Sequence, residues 1–149
     1  MAANRILRSA DDCARIISDR TVSGALLPAT GVVVGASTLT QATAVTGGLL
    51  ALLANRDFYA LLSSATEPLL TPYVSGETGL ALMLKPDLQV VWAMAAGTYT
   101  KGQELTISAS GRLTAAAATN VVVAFFDQAG ATLAAGDLAD VLVANYYVK

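Results

Sequence analysis

The residues that could do chemistry are few, and their spacing decides what they can do. Asp137 with Asp140, and Glu67 with Glu77, are the candidate carboxylate pairs. Such a pair works as acid and base only where both members converge in a cleft and one is held protonated. No pattern around either pair points to a cleft, so all four read as solvated loop charges. The stretch Gly97-Thr98-Tyr99-Thr100-Lys101-Gly102-Gln103-Glu104 nearly has phosphate-loop spacing. Gln103 and Glu104, however, stand where that loop needs Lys and then Ser or Thr. Gly35-Ala36-Ser37-Thr38-Leu39 starts like a nucleophile elbow but lacks the closing glycine. The chain has no histidine, so neither a serine nor Cys13, the single cysteine, has its usual base. The same counts leave no histidine ligand for a metal and no disulfide within the chain. Cys13 reads as a small buried or semi-buried thiol. The expectation is a protein without catalytic activity and without a cofactor.

Composition narrows the class further. Of 149 residues, 54% are hydrophobic and only 13% are charged, about half the usual charged share of a globular domain. Nine basic and eleven acidic side chains give a net charge of −2, which offers no basic field for nucleic acid. The charge-free stretch Thr21–Asn55 is broken by Gly24, Pro28, Gly31, Gly35, Gly47 and Gly48, so it does not read as a membrane span. Arg5 and Arg8 are followed by Asp11 and Asp12 rather than by an apolar run, which argues against a signal peptide. Alanine and threonine occupy positions where a free monomer would show Lys and Glu. A surface of that kind fits a chain covered by partners, as in an oligomer or a larger assembly.

The elements that must position these residues read as short strands. Met1–Arg20 holds four of the six arginines and three of the eight aspartates. It reads as an extended arm, or as a short helix over Ala10–Ile17 capped by Ser9 with Asp11 and Asp12 in its first turn. From residue 21 to 149 the chain reads as one β domain. Val32–Val34 follows the turn signals Pro28 and Gly31. Thr38, Thr40, Thr43 and Thr46 alternate loosely with small residues. Leu49–Leu62 suits either a hairpin turning at Asn55-Arg56-Asp57 or a helix. Leu80, Leu82 and Leu84, then Val90, Trp92 and Met94, recur with the strand period of two. Lys85-Pro86-Asp87 and Ser110-Gly111 are turns. Leu105 and Ile107 share one face. Val121–Phe126 is a strand buried on both faces, and Leu138–Val148 is the last strand. Strands spaced about 8–12 residues apart with turn signals between them suggest a barrel or sandwich. Most aromatic residues lie inside apolar runs and read as core. Tyr146 and Tyr147 are adjacent in a strand, so one of them must face outward.

The second half also carries a resemblance. Ala95–Ser108 is followed by Gly111-Arg112-Leu113, the apolar strand Val121–Phe126, and Gly136-Asp137-Leu138-Ala139-Asp140-Val141-Leu142-Val143. In the first half, Leu27-Pro28 and Gly31-Val32-Val33 match a strand start in which Ala29 replaces the usual glycine. Asn55-Arg56-Asp57-Phe58 and Tyr73-Val74-Ser75-Gly76-Glu77 occupy the middle. Over residues 20–149 this order resembles the capsid decoration, or cement, proteins of tailed bacteriophages. The resemblance implies a small β-barrel of the β-tulip kind. It would sit on the outer surface of the virion head after synthesis in the host cytoplasm, bridging neighbouring major capsid protein subunits as a trimer or a dimer. On that expectation the arm attaches the protein to the shell. Arg5, Arg8, Arg15 and Arg20 would pair with carboxylates, and Ile6, Leu7, Ile16 and Ile17 would serve as apolar anchors.

Two other readings compete. Lys101-Gly102-Gln103-Glu104-Leu105 is similar to a strand start in biotinyl and lipoyl carrier domains. Lys85 and Lys101 lack the flanking residues of a modifiable lysine. A fibre-type or glycan-binding β module is the remaining alternative, and it would need exposed aromatic side chains.

Overall fold

The computed structural model describes residues 14–45, 49–55 and 69–149. In chain order its strands are Ile16–Val22 (β1), Gly31–Val34 (β2), Thr38–Gln41 (β3), Leu50–Leu53 (β4), Thr78–Met83 (β5), Gln89–Ala93 (β6), Gly97–Tyr99 (β7), Glu104–Ile107 (β8), Leu113–Ala115 (β9), Val121–Phe126 (β10), Ala131–Leu133 (β11) and Leu138–Val148 (β12). The protein is all-β. β1, β3, β2, β4 and β5 close into a barrel, and β6, β12, β10, β8 and β9 form a five-stranded sheet beside β7 and β11. A bridge between Met94 and Leu113 draws the two edges of that sheet together.

Period-two patterning explains how the two halves meet. Leu50-Ala51-Leu52-Leu53 is buried throughout. Ala51 and Leu53 point into the barrel with Val22, Val32, Val34, Leu39 and Ala81. Leu50 and Leu52 point the other way, into the larger core that holds Leu88, Val90, Trp92, Leu105, Val123 and Phe126. A strand with both faces covered reads as a continuous apolar run, which is why no polar residue interrupts β4. Each Leu or Val buried in this way contributes about 1.5–3 kcal/mol. The barrel is narrow enough that Gly79 has no room for a side chain. A Cβ there would lie 2.6 Å from Val22 Cγ2 and 2.8 Å from Leu39 Cδ1.

The joint between the halves is built around Trp92, which is wholly buried. Its indole Nε1–H donates to the Gly111 carbonyl at 2.9 Å. Gly111 sits in a 3-10 turn, Ala109–Gly111, with φ at +64°, and packs directly against the backbone of Gly31 on β2. Gln41 Nε2 donates to the Gly31 carbonyl at 2.7 Å and to Thr30 Oγ1 at 3.2 Å, so the polar groups at the joint are satisfied. Ala29, where a glycine is usual in the resembling pattern, has φ at +58° and is fully buried.

The fold departs from the expected arm. The sequence reading ended the arm at Arg20, whereas β1 begins at Ile16 and forms part of the barrel wall. Ile16 and Ile17 pair with Leu82 and Ala81 of β5, and the Met83 N–H donates to the Arg15 carbonyl at 2.8 Å. Two β-branched residues in succession favour this extended ladder over the helix that Ser9 would have capped. The rest of that helix, Ala10–Cys13, lies outside the described residues. Of the hairpin or helix expected over Leu49–Leu62, with a turn at Asn55-Arg56-Asp57, residues 56–62 lie outside the described residues; Leu50–Leu53 is a strand.

Candidate docking site

Of the eight residues expected to contact a capsid, Arg5, Ile6, Leu7 and Arg8 lie outside the described residues. β1 brings Arg15, Ile17 and Arg20 to one groove, while Ile16, on the strand's opposite face, is exposed outside its lining. The strand pairs antiparallel with β5 at Ile16, Ile17, Arg20 and Thr21, with a bulge between Ile17 and Arg20. Its parallel pairing with β3 covers only Thr21 and Val22. The first half of β1 therefore has β5 as a ladder neighbour on one side and none on the other among the described residues. Between that side and the β2–β3 turn lies a groove of about 380 Å³. Ile17, Val34, Leu49 and Met83 form its apolar lining, and Arg15 and Arg20 supply its charge.

The two arginines differ. Arg20 spans the groove, its Nε donating to the Gly35 carbonyl at 3.2 Å, and it forms an ion pair with its neighbour Asp19. Arg15 is exposed, and its side chain forms no ion pair among the described residues. Ile16 stands 60% exposed and Leu49 55% exposed on the same half of the molecule. Ile17 is half-buried against the barrel interior, so it anchors β1 rather than standing free as an anchor for a partner.

Sequence reasoning missed Val34, Leu49 and Met83 as groove residues, because they come from three separate stretches of chain. It also missed other exposed apolar side chains, in the loops before β2 and β5. Leu27 and Val74, on either side of the antiparallel Leu26–Tyr73 bridge, are exposed, and so is Leu70. The run Ile16-Ile17 was the one signal that this end of the chain is extended.

Two of the candidate carboxylates bond to turn backbone. The Asp137 carboxylate accepts the Ala134 N–H at 2.7 Å, and Glu77 accepts the Val74 N–H at 2.6 Å. Asp140 lies within β12 opposite Val91. Glu67 and Cys13 lie outside the described residues. Gly97–Glu104 is a strand, a tight turn and the start of another strand. Gly102 has φ at +81°, and exposed Lys101 approaches Asp127 at 3.4 Å. Gly35–Leu39 forms the β2–β3 turn and the start of β3. Among the described residues no group of three potential metal ligands gathers, and no helix is long and apolar enough to cross a membrane.

A polar cluster marks the outer face of the second sheet. Tyr147 donates to Glu104 Oε1 at 2.6 Å, and Lys149 Nζ lies 2.8 Å from Glu104 Oε2. The Tyr147 ring stacks on Phe125 with centroids 6.3 Å apart. The hydrogen bonds from Lys149 and then Tyr147 hold the Glu104 carboxyl below its ordinary range, and the bond to Glu104 raises the Tyr147 hydroxyl. Burial pushes the hydroxyl of neighbouring Tyr146 up to about 12. Of the adjacent tyrosines, Tyr146 packs against the core and Tyr147 is exposed, as alternation requires.

Comparison with known proteins identifies no relative: no family model matches the chain, and no curated protein matches it.

Proposed function

We propose that this protein is a structural virion component that docks on the outside of a phage head and cements neighbouring major capsid subunits. The observation that carries the reading is where the apolar surface lies. Among the described residues, five of the seven large exposed hydrophobic side chains, Ile16, Leu27, Leu49, Leu70 and Val74, belong to the barrel half. Single exposed hydrophobics are ordinary, but five on one half together with an apolar-lined groove suit a surface that is covered in use. The 13% charge content supports the same reading, on which the protein would associate into a trimer or a dimer. The resemblance to cement proteins names the shell as the partner. No turnover is involved. Many copies, each adding a modest contact across a seam, resist internal pressure together, because each links subunits already held close.

Heads lacking the protein should assemble but release DNA at a lower temperature, and adding the purified protein back to expanded heads should restore resistance. Equal release temperatures with and without the protein would end this reading. A glycan-binding role has one observation in its favour, the exposed Tyr147 ring stacked on Phe125 beside Glu104. Saccharide binding on a glycan array that is lost in Tyr147→Ala would put that role first.

A further inference from the structure

The side of β1 that has no ladder partner among the described residues is the feature that specifies a partner's chemistry. A strand edge presents alternating N–H and C=O groups to any extended chain that reaches it. Here the edge over Ile16–Asp19 opens onto a groove whose lining, among the described residues, carries two guanidinium groups and no carboxylate. The bulge before Arg20, and Arg20 itself bridging to Gly35, close the edge at one end, so the template is short.

We propose that this notch takes up a short extended segment of a partner protein, acidic at its ends, by strand addition alongside Ile16–Asp19. The proposal rests on the docking role above and names the partner's chemistry. Main-chain bonds to the β1 edge would supply affinity, and the apolar floor of Ile17, Val34, Leu49 and Met83 would take alternate side chains. Arg15 is the main selector, because its planar fork matches a carboxylate and Asp19 already engages Arg20. A second copy is the poorer occupant. Its own β1 edge would bring two more arginines to a groove that already holds two.

The test uses the full-length, isotope-labelled protein and two capped peptides of alternating valine and threonine, differing only in glutamate or lysine near both ends. The glutamate peptide should shift the Ile16–Asp19 amides and slow their exchange, and should bind at least about tenfold more tightly than the lysine peptide. Arg15→Gln should abolish the preference and Arg15→Glu should reverse it, with an unchanged far-ultraviolet dichroism spectrum. Absence of binding, equal binding of both peptides, or perturbation confined to another surface would overturn the proposal. So would protection of the same amides without peptide in a concentration-dependent dimer.

Binding to expanded heads separates this idea from the broader role. If the wild type binds heads and Arg15→Glu binds equally well, the notch proposal falls while docking stands. If the wild type ignores heads but the glutamate peptide still occupies the notch, docking on heads falls and the notch stands.

Discussion

Gly111 shows how a single residue can hold two halves together. Its φ of +64° lies in the left-handed region, and a Cβ there would fall 2.3 Å from both the Gly31 carbonyl oxygen and Gln41 Nε2. Neither backbone nor a hydrogen-bonded amide at the joint can yield easily. Gly111→Ala should therefore cost about 3 kcal/mol or more in urea unfolding. Gly102→Ala is the control: φ is +81° but the space around it is open. It should cost only about 1 kcal/mol, the conformational part alone. Equal losses in the two variants would show that the Gly31–Gly111 approach is not tight. Tyr146 gives a second prediction at this scale. Its folded pKa of about 12 lies above the ordinary tyrosine value of 10.0, so the folded state holds the proton more tightly. Its contribution is complete below pH about 10 and is lost as pH rises towards about 12. Tyr146→Phe should flatten the loss of stability across that window, measured by denaturation at stepped alkaline pH. Glu104 has the opposite sign: its lowered pKa gives stability that is present above its ordinary value of 4.5 and lost as pH falls through the folded value. Glu104→Gln should weaken that acid dependence in the same assay.

At the scale of elements, β1 has two roles. Its second half closes the barrel through β3 and β5, and its first half forms one wall of the groove. Removing residues 1–20 would delete most of a barrel strand and expose the interior around Leu39, Leu53 and Ala81. That truncation should lose cooperative unfolding or precipitate, because the edges of β3 and β5 and the barrel's interior face would be left uncovered. A truncated protein with an unchanged urea midpoint would mean that β1 adds nothing to the barrel. The same dual use limits mutational tests of docking: changes at Ile17 disturb the barrel interior, whereas changes at Arg15 leave it intact.

For the whole molecule, the expectation is association. The charged share is low, and the apolar side chains left exposed gather on the barrel half. Light scattering on the purified protein, and a symmetric reconstruction of decorated heads, should find trimers or dimers. Monomers in both settings would leave the low charge without a cause in assembly. Individual exposed ion pairs contribute only about 0–1 kcal/mol, so raising the salt should weaken attachment modestly rather than abolish it. Complete release in moderate salt would mean that charge, and not apolar contact, holds the protein on its partner.

The sequence by itself determined the class of fold and most of its strands. Val32–Val34, Leu80–Leu84, Val90–Met94 and Val121–Phe126 were legible because side chains alternate across a strand, and because a strand buried on both faces reads as an unbroken apolar run. The turns at Lys85–Asp87 and Ser110-Gly111 were legible from turn chemistry, and Asp87, Ser110 and Gly111 do take positive φ. Tertiary structure alone decided that Ile16–Arg20 is barrel wall rather than arm, because its partner strand β5 lies some sixty residues away and no local signal announces such pairing. It also decided the groove. Arg15, Val34, Leu49 and Met83 come from separate stretches of chain, and only closure of the barrel brings them to one surface.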